Sequence, residues 1–121
     1  MFAFFRRLFR RNEISLNRVH DTVRVREGQE RLTLRVDGDA MRMVAGLNAA
    51  QKRLQALPEG ASEDEINEAA LYFAGVMFGE EQAEALLYFY RGDAGCVVNV
   101  CGQYFSTRLA KLIERAQKKR K

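Results

Sequence analysis

The chain has 121 residues, of which 47% are hydrophobic, and it carries a formal net charge of +4. This length fits one domain with a buried core, and a single proline is not typical of long disordered linkers. No apolar run approaches the ~20 residues that a membrane-spanning helix needs, and arginines interrupt the N-terminal stretch where a secretory signal would be apolar. We therefore expect neither a membrane-spanning nor a secreted protein.

Charge is distributed unevenly along the sequence. Residues 1–53 carry twelve Lys and Arg against six Asp and Glu, residues 54–107 carry one against nine, and residues 108–121 carry seven against one. The net charges of the three parts are +6, −8 and +6. An acidic middle between basic ends favours surfaces that complement each other or a partner as readily as it favours nucleic-acid binding.

Residues 1–12 are predicted to form a basic amphipathic arm. Within residues 1–11, apolar side chains and four arginines follow a helical period with a sharp division between them. An isolated helix of this length is marginal in water, so the arm should order only against another surface. That surface is the protein's own core or a neighbouring copy, a partner protein, or an anionic membrane, and we favour the first. The contact residues that the pattern suggests are Phe2, Phe5 and Phe9.

A period of two predicts a β-hairpin over residues 22–36, with a tight turn at Gly28. Ile14 and Leu16 are candidates for a short additional strand. A lone hairpin is scarcely stable in water, so its apolar face should cover helices. That face is formed by Val23, Val25, Leu32, Leu34 and Val36.

The opposite face of the hairpin carries a row of arginines, Arg24, Arg26, Arg31 and Arg35. Such a row suits phosphates, but acidic residues are interleaved with it and no aromatic side chain is placed to stack on bases. We therefore interpret the row as a solvated polar face. His20, the only histidine, is interpreted as a surface or loop residue, because Asp21 beside it would point to the other face of a strand.

Two helices are predicted next, over residues 40–57 and 63–78. Asp39 is placed to cap the first, and the spacing of Ser62 and Glu65 is that of a capping box for the second. The first helix has one apolar stripe, which includes Met43. The second is apolar on more than one side, which is typical of a central helix or of one shared with another subunit. The side chains that widen its apolar surface are Leu71, Tyr72, Val76 and Phe78.

Two more helices are predicted over residues 80–91 and 93–118. The short one lies between breaks at Gly79 and Gly92 and should be enclosed, because apolar side chains crowd its last turn. The long one should carry a stripe at a constant helical period, formed by Val98, Cys101, Phe105, Leu109, Leu112 and Ala116. Together these elements predict an α+β, mainly α fold, in which an N-terminal amphipathic helix and a β-hairpin precede a compact four-helix domain, with residues 13–121 as a single domain.

The sequence lacks motifs for catalysis, metal binding or cofactor binding. Cys96 and Cys101 would lie ~140° apart on a helix, which suits neither a disulfide nor a shared metal, so we interpret them as small buried hydrophobes. The carboxylates near Ser62 are explained by helix capping. Asn99 and Gln103 share one helix face, either exposed or paired in an interface, and we favour exposure. We expect no enzyme, with no catalytic residues, no metal site and no cofactor.

From Phe78-Gly79 through Gly92-Asp93 to the lysines after Ala116, the chain resembles tail assembly chaperones encoded in prophage tail modules of Gram-positive bacteria. The resemblance covers residues 38–119 and rests on a helix ending at Phe-Gly, a short helix, a Gly-Asp step and a long C-terminal helix. It implies a non-enzymatic protein in the cytoplasm of the bacterial host. Such a protein coats the apolar helices of a tape-measure protein until tail-tube subunits replace it.

The resemblance and the apolar pattern together predict a partner-binding surface, with tape-measure-like helices and a second copy of the chain as partners. The family is often made in two lengths by ribosomal frameshifting, and residues 118–121 are a candidate product of a slippery gene segment. The alternatives are a small basic nucleic-acid-binding regulator and a peripheral membrane protein held by residues 1–11. The predicted partner-binding residues are Phe2, Phe5, Phe9, Met43, Leu71, Tyr72, Val76, Phe78, Tyr88 and Phe89.

Overall fold

The computed structural model describes residues 18–118. This part of the chain is mainly helical, with a two-stranded antiparallel hairpin followed by four helices. The predicted α+β, mainly α class is therefore confirmed for the described residues. The predicted arm over residues 1–12, the strand candidates Ile14 and Leu16, and residues 119–121 lie outside the described residues.

The hairpin consists of β1 (Arg18–Glu27) and β2 (Glu30–Asp39), paired in register from Arg18 opposite Asp39 to Glu27 opposite Glu30. Its turn is at the predicted place, where Gly28 takes the positive φ of 62° that a tight turn needs. The predicted apolar face is turned inward. The strands extend beyond the predicted range of 22–36. The prediction began too late because the polar Asp21 interrupts the apolar alternation, although it lies on the inner face between Val19 and Val23.

Helix α1 (Ala40–Gln55) begins directly after β2. The Asp39 carboxylate caps it as predicted, accepting a hydrogen bond from the Arg42 N–H at 3.0 Å. The helix was predicted to reach residue 57 but ends at Gln55. The residue before a proline is disfavoured in the helical region, and Pro58 therefore stops the helix early.

Helix α2 (Glu63–Phe78) begins with the predicted capping box, in which Ser62 and Glu65 exchange hydrogen bonds of 3.1 and 3.2 Å. It is the central helix, in contact with α1, with both helices that follow it and with β2. Gly46 of α1 faces Val76 so closely that a Cβ at Gly46 would lie 2.8 Å from Val76 Cγ1. Buried small side chains allow the helices to approach in this way, namely Ala50, Ala69, Ala70 and Ala74.

Helix α3 (Glu80–Phe89) follows the break at Gly79 and ends two residues before the predicted end at residue 91. Its end is fixed by a hydrogen bond of 2.9 Å from the Gly92 N–H to the Leu87 carbonyl, with positive φ angles at Arg91 and Gly92. The Asp93 carboxylate then caps the last helix by accepting from the Cys96 N–H.

The last helix, α4, comprises Ala94–Tyr104, a π-helical turn at Phe105–Leu109, and Ala110–Lys118. The predicted stripe is wrong in part, because Phe105 lies 36% exposed. A constant period cannot foresee the π turn, which advances the buried face by five residues between Tyr104 and Leu109. The buried stripe is Ala94, Val97, Cys101, Tyr104, Leu109, Ile113 and Ala116.

A groove between β2 and α3

An open groove lies between β2 and α3, at the turn end of the hairpin. Its volume of about 1070 Å³ slightly exceeds the range for small-molecule sites, which is about 300–1,000 Å³. Apolar side chains form its surface, namely Leu32, Ala85, Leu87, Tyr88 and Phe89. Glu30, Glu81, Glu84, Arg91 and Gly92 complete it.

A glutamine side chain holds α3 beside the hairpin. The Gln82 Oε1 accepts from the Arg35 N–H and the Gln82 Nε2 donates to the Arg35 carbonyl, both at 2.7 Å. The same Nε2 also donates to the Phe78 carbonyl at the end of α2. The amide thus pairs with the backbone at the edge of β2, as a neighbouring strand would. It fixes the distance between β2 and α3, and the groove lies between these two elements.

The two sides of α3 differ sharply in exposure. Leu86 is 0% exposed and Ala83 is 1% exposed, so these residues anchor the helix to the core. Tyr88 is 86% exposed, and Leu87 and Phe89 are half-buried. The prediction that this helix is enclosed is therefore wrong. An apolar last turn is equally compatible with a helix that anchors on one side and leaves the other open.

The charge of the groove is negative. Glu30, Glu81 and Glu84 lie along it, and none of them takes part in an ion pair within residues 18–118. Arg91 is the one basic residue among those that line it. An apolar surface with an acidic rim suits a ligand that combines an apolar face with basic flanks.

The structure separates the predicted partner-binding residues into three groups. Tyr88 and Phe89 lie in the groove. Met43 and Phe78 are 4% and 5% exposed and belong to the core. The others on α2 lie at its sides: Leu71 and Val76 are half-buried, and Tyr72 is 38% exposed.

Tyr72 is partly covered by α1, since the Arg53 guanidinium lies 5.0 Å from the centroid of its ring. Phe2, Phe5 and Phe9 lie outside the described residues. The prediction overlooked Leu32 and Leu87 as groove residues, and also the acidic rim. The excess of acidic residues in the middle of the chain was the only signal in the sequence that pointed to that rim.

A smaller apolar depression lies between α1, α2 and the π turn. It is lined by apolar and amide side chains, namely Leu47, Asn48, Gln51, Leu54, Phe73 and Phe105. Phe105 reaches it because the π turn rotates this residue off the buried stripe of α4. The depression has no acidic rim, which distinguishes it from the groove.

A polar contact joins the other end of the hairpin to α4. The Asp21 side chain is 10% exposed, and it accepts hydrogen bonds from the Tyr104 hydroxyl at 2.8 Å and from the Arg108 guanidinium. Tyr104 and Arg108 lie at the π turn, four residues apart. Burial raises the pKa of Tyr104, and its hydrogen bond to Asp21 raises it further. The nearly buried Asp21 carboxylate thus has two partners on α4, and the contact holds the hairpin against that helix.

The other reactive side chains within residues 18–118 include one histidine and two cysteines. His20 is exposed on β1, with its Nδ1 3.3 Å from Asp37 Oδ1. Both cysteines are free; burial raises the pKa of Cys101 to about 12, and a hydrogen bond with Asp93 is the main cause that raises the pKa of Cys96. A raised pKa keeps a thiol protonated and poorly nucleophilic.

Neither a metal centre nor a membrane span is found in residues 18–118. No group of three or more His, Cys, Asp or Glu in that range is arranged to hold a metal ion. None of its helices has both the length and the apolar character needed to cross a membrane.

The other sequence predictions for side chains mostly agree with the structure. Asn99 and Gln103 are exposed, as expected. The outer arginines of the hairpin are exposed as well. Cys101 is buried, whereas Cys96 is only half-buried, because it lies in the first turn of α4.

Comparison of the chain with protein-family models, with curated proteins and with solved structures finds no match in any of the three.

Proposed function

We propose that this protein is a non-enzymatic assembly chaperone that binds an apolar α-helix of a partner in the groove between β2 and α3. The observation that carries the proposal is the position of Tyr88, an aromatic side chain 86% exposed beside Leu32 and Leu87. Contiguous apolar surface of this kind typically marks a site of protein interaction. A groove between secondary-structure elements suits the apolar face of an amphipathic helix.

The acidic rim narrows the class of partner. Glu30, Glu81 and Glu84 favour a helix whose apolar stripe is flanked by lysines or arginines. The helices of a tape-measure-like protein, which the sequence resemblance implies as partner, are long and need cover before assembly. The proposal places the protein in the cytoplasm of a bacterial host, where it keeps such helices soluble. Self-association belongs to the same proposal, since a long helix needs several copies to cover it.

Co-expression with a tape-measure-like protein encoded beside this gene tests the proposal. We expect the two chains to elute together in size-exclusion chromatography and the partner to precipitate when it is expressed alone. A partner that stays soluble alone and elutes separately would count against the proposal. If no long helical tail protein is encoded nearby, the proposal of a phage-tail partner is refuted, while the proposal that the groove binds a helix still stands.

Nucleic-acid binding is a second candidate, favoured by the exposed arginines on the outer face of the hairpin. Binding through these residues would weaken steeply with the logarithm of salt concentration. The acidic middle of the chain opposes it, because carboxylates repel phosphate. Absence of any DNA or RNA binding at low salt would eliminate this candidate. The variant Arg24→Gln/Arg26→Gln, which leaves the groove intact, separates it from helix binding.

A further inference from the structure

We infer that the groove between β2 and α3 is filled, in the free protein, by residues 1–11 of the same chain. The groove leaves Tyr88 exposed and Leu32 and Leu87 half-buried, beside an acidic rim whose carboxylates form no ion pair within residues 18–118. An isolated monomer gains by covering such a surface, since apolar burial is favourable by roughly 25 cal/mol per Å². The occupant must therefore offer an apolar face together with basic groups.

Residues 1–11 have this chemistry. Their sequence places apolar side chains on one side of a helical period and four arginines on the other, with no acidic residue. Three acidic residues and one arginine line the groove. The arm is thus complementary to the groove both in apolar character and in charge. The smaller depression between α1, α2 and the π turn is lined by apolar and amide side chains and has no carboxylate to pair with the arginines.

The chain is long enough for the arm to reach the groove. β1 begins at Arg18, and Leu32 lies opposite Val25, so the groove is about 23 Å along the strand from Arg18. Residues 12–17 span up to about 20 Å when extended. Residues 1–11 add about 16 Å as a helix. The middle of the arm therefore reaches the groove without any change in the described fold.

Attachment to the same chain favours this occupant over a second copy. A segment tethered by a short flexible linker has an effective concentration of about mM, well above working concentrations of a protein. Docking within one chain therefore precedes docking between chains. It follows that a partner helix must displace the arm before it binds. The docking itself does not depend on the proposed function, although both use the same groove.

Trypsin cleavage of the purified full chain, followed by mass spectrometry, tests this inference without any partner. We expect slow cleavage after Arg6, Arg7, Arg10 and Arg11 in the wild-type protein. The variant Glu81→Gln/Glu84→Gln should accelerate cleavage at these four sites about tenfold, as expected if each lost charge contact weakens docking by a factor of about three. Tyr88→Ser should accelerate it as well.

The matched control is Glu59→Gln/Glu68→Gln, which removes the same charge from exposed positions outside the groove and should leave the cleavage rates unchanged. Equal rates in wild type, rim variant and control would overturn the inference. Light scattering reports whether the protein is a monomer or a dimer. If the arm resists trypsin only at concentrations where the dimer forms, the arm docks on a second copy, and this result would also overturn the inference. Failure of the partner to bind in co-expression would refute the proposed function and leave this result untouched.

Discussion

The two ends of the hairpin's inner face contact the helices in opposite ways. At the end away from the turn, the Asp21 carboxylate accepts hydrogen bonds from Tyr104 and Arg108 of α4. At the turn end, Leu32 meets α3 across a groove that leaves Tyr88 almost wholly exposed. The polar Asp21 at one end is nearly buried and the apolar Tyr88 at the other is exposed, although polar residues are the ones usually expected at a surface.

This contrast distinguishes a contact that stabilises the fold, at Asp21, from a surface that we propose binds a partner, at Tyr88. A nearly buried carboxylate is tolerated only with good partners, so the Asp21 contact fixes how the hairpin sits on α4. An exposed aromatic side chain beside other apolar residues contributes little to the fold of a monomer. We propose that a bound helix covers it. The predictions below test that division, beginning with the largest effect.

The largest loss of stability is expected from truncation of Leu86 in α3. Leu86→Ala should lower the free energy of unfolding by about 2–5 kcal/mol, because Leu86 is 0% exposed and its truncation leaves a cavity in the core. Urea denaturation followed by circular dichroism measures the change. A loss below about 1 kcal/mol would mean that α3 is not anchored to the core through this side.

Asp21→Ala should lower the free energy of unfolding by about 2–3 kcal/mol, because the buried Tyr104 hydroxyl then loses its acceptor. The matched control is Asp37→Ala, an exposed carboxylate on β2 that pairs with Arg18 and should cost less than about 1 kcal/mol. The same denaturation experiment compares the two. Equal losses in both variants would show that the Asp21 contact is an ordinary surface pair.

Alkaline pH should destabilise the protein through Cys101 and Tyr104. Burial raises the pKa of Cys101 from 9.0 to about 12 and raises that of Tyr104 as well. The unfolded chain then loses these protons at lower pH than the folded one, so stability is complete below pH 9 and falls as pH rises towards 12. The slope is up to about 1.4 kcal/mol per pH unit for each group. Denaturation between pH 8 and pH 11 measures it, and Cys101→Ala should flatten the curve above pH 9.

Tyr88→Ser should change the free energy of unfolding least, by less than about 1 kcal/mol, because the side chain is 86% exposed. Thermal denaturation alongside Leu86→Ala measures the difference within one helix. If Tyr88→Ser costs as much as Leu86→Ala, the groove is part of the core and its role in binding fails.

Local signals in the sequence were sufficient for most of the fold. The capping groups Asp39, Ser62 and Asp93 and the breaks at Gly79 and Gly92 act through contacts within a few residues, so the helices could be located from them. The hairpin turn at residues 28–29 was equally local. Helix ends were less accurate, since Pro58 and the left-handed turn at Arg91 shorten α1 and α3 by two residues each.

The groove could not be predicted because it depends on contacts distant in sequence. The hydrogen bonds between Gln82 and Arg35 join residues 47 positions apart, and nothing in the local pattern indicates them. Likewise, Tyr104 and Leu109 share the buried face of α4 only because a π turn intervenes. Tyr88 and Phe89 were selected for their apolar character and their place in the resemblance, as were Met43 and Phe78, which the fold places in its core.

The most direct test of the central claim, that the groove binds a partner helix, is the affinity of a purified tape-measure-like fragment for two forms of this protein. Calorimetric titration should show binding to the wild type and weaker binding to Tyr88→Ser: loss of a central aromatic contact worth about 2 kcal/mol lowers affinity by up to about 30-fold, and weaker docking of the competing arm offsets part of this loss. The free energy of unfolding of Tyr88→Ser, expected within about 1 kcal/mol of the wild type, serves as the control for folding. Equal affinities for the two forms, or no binding to the wild type, would contradict the account.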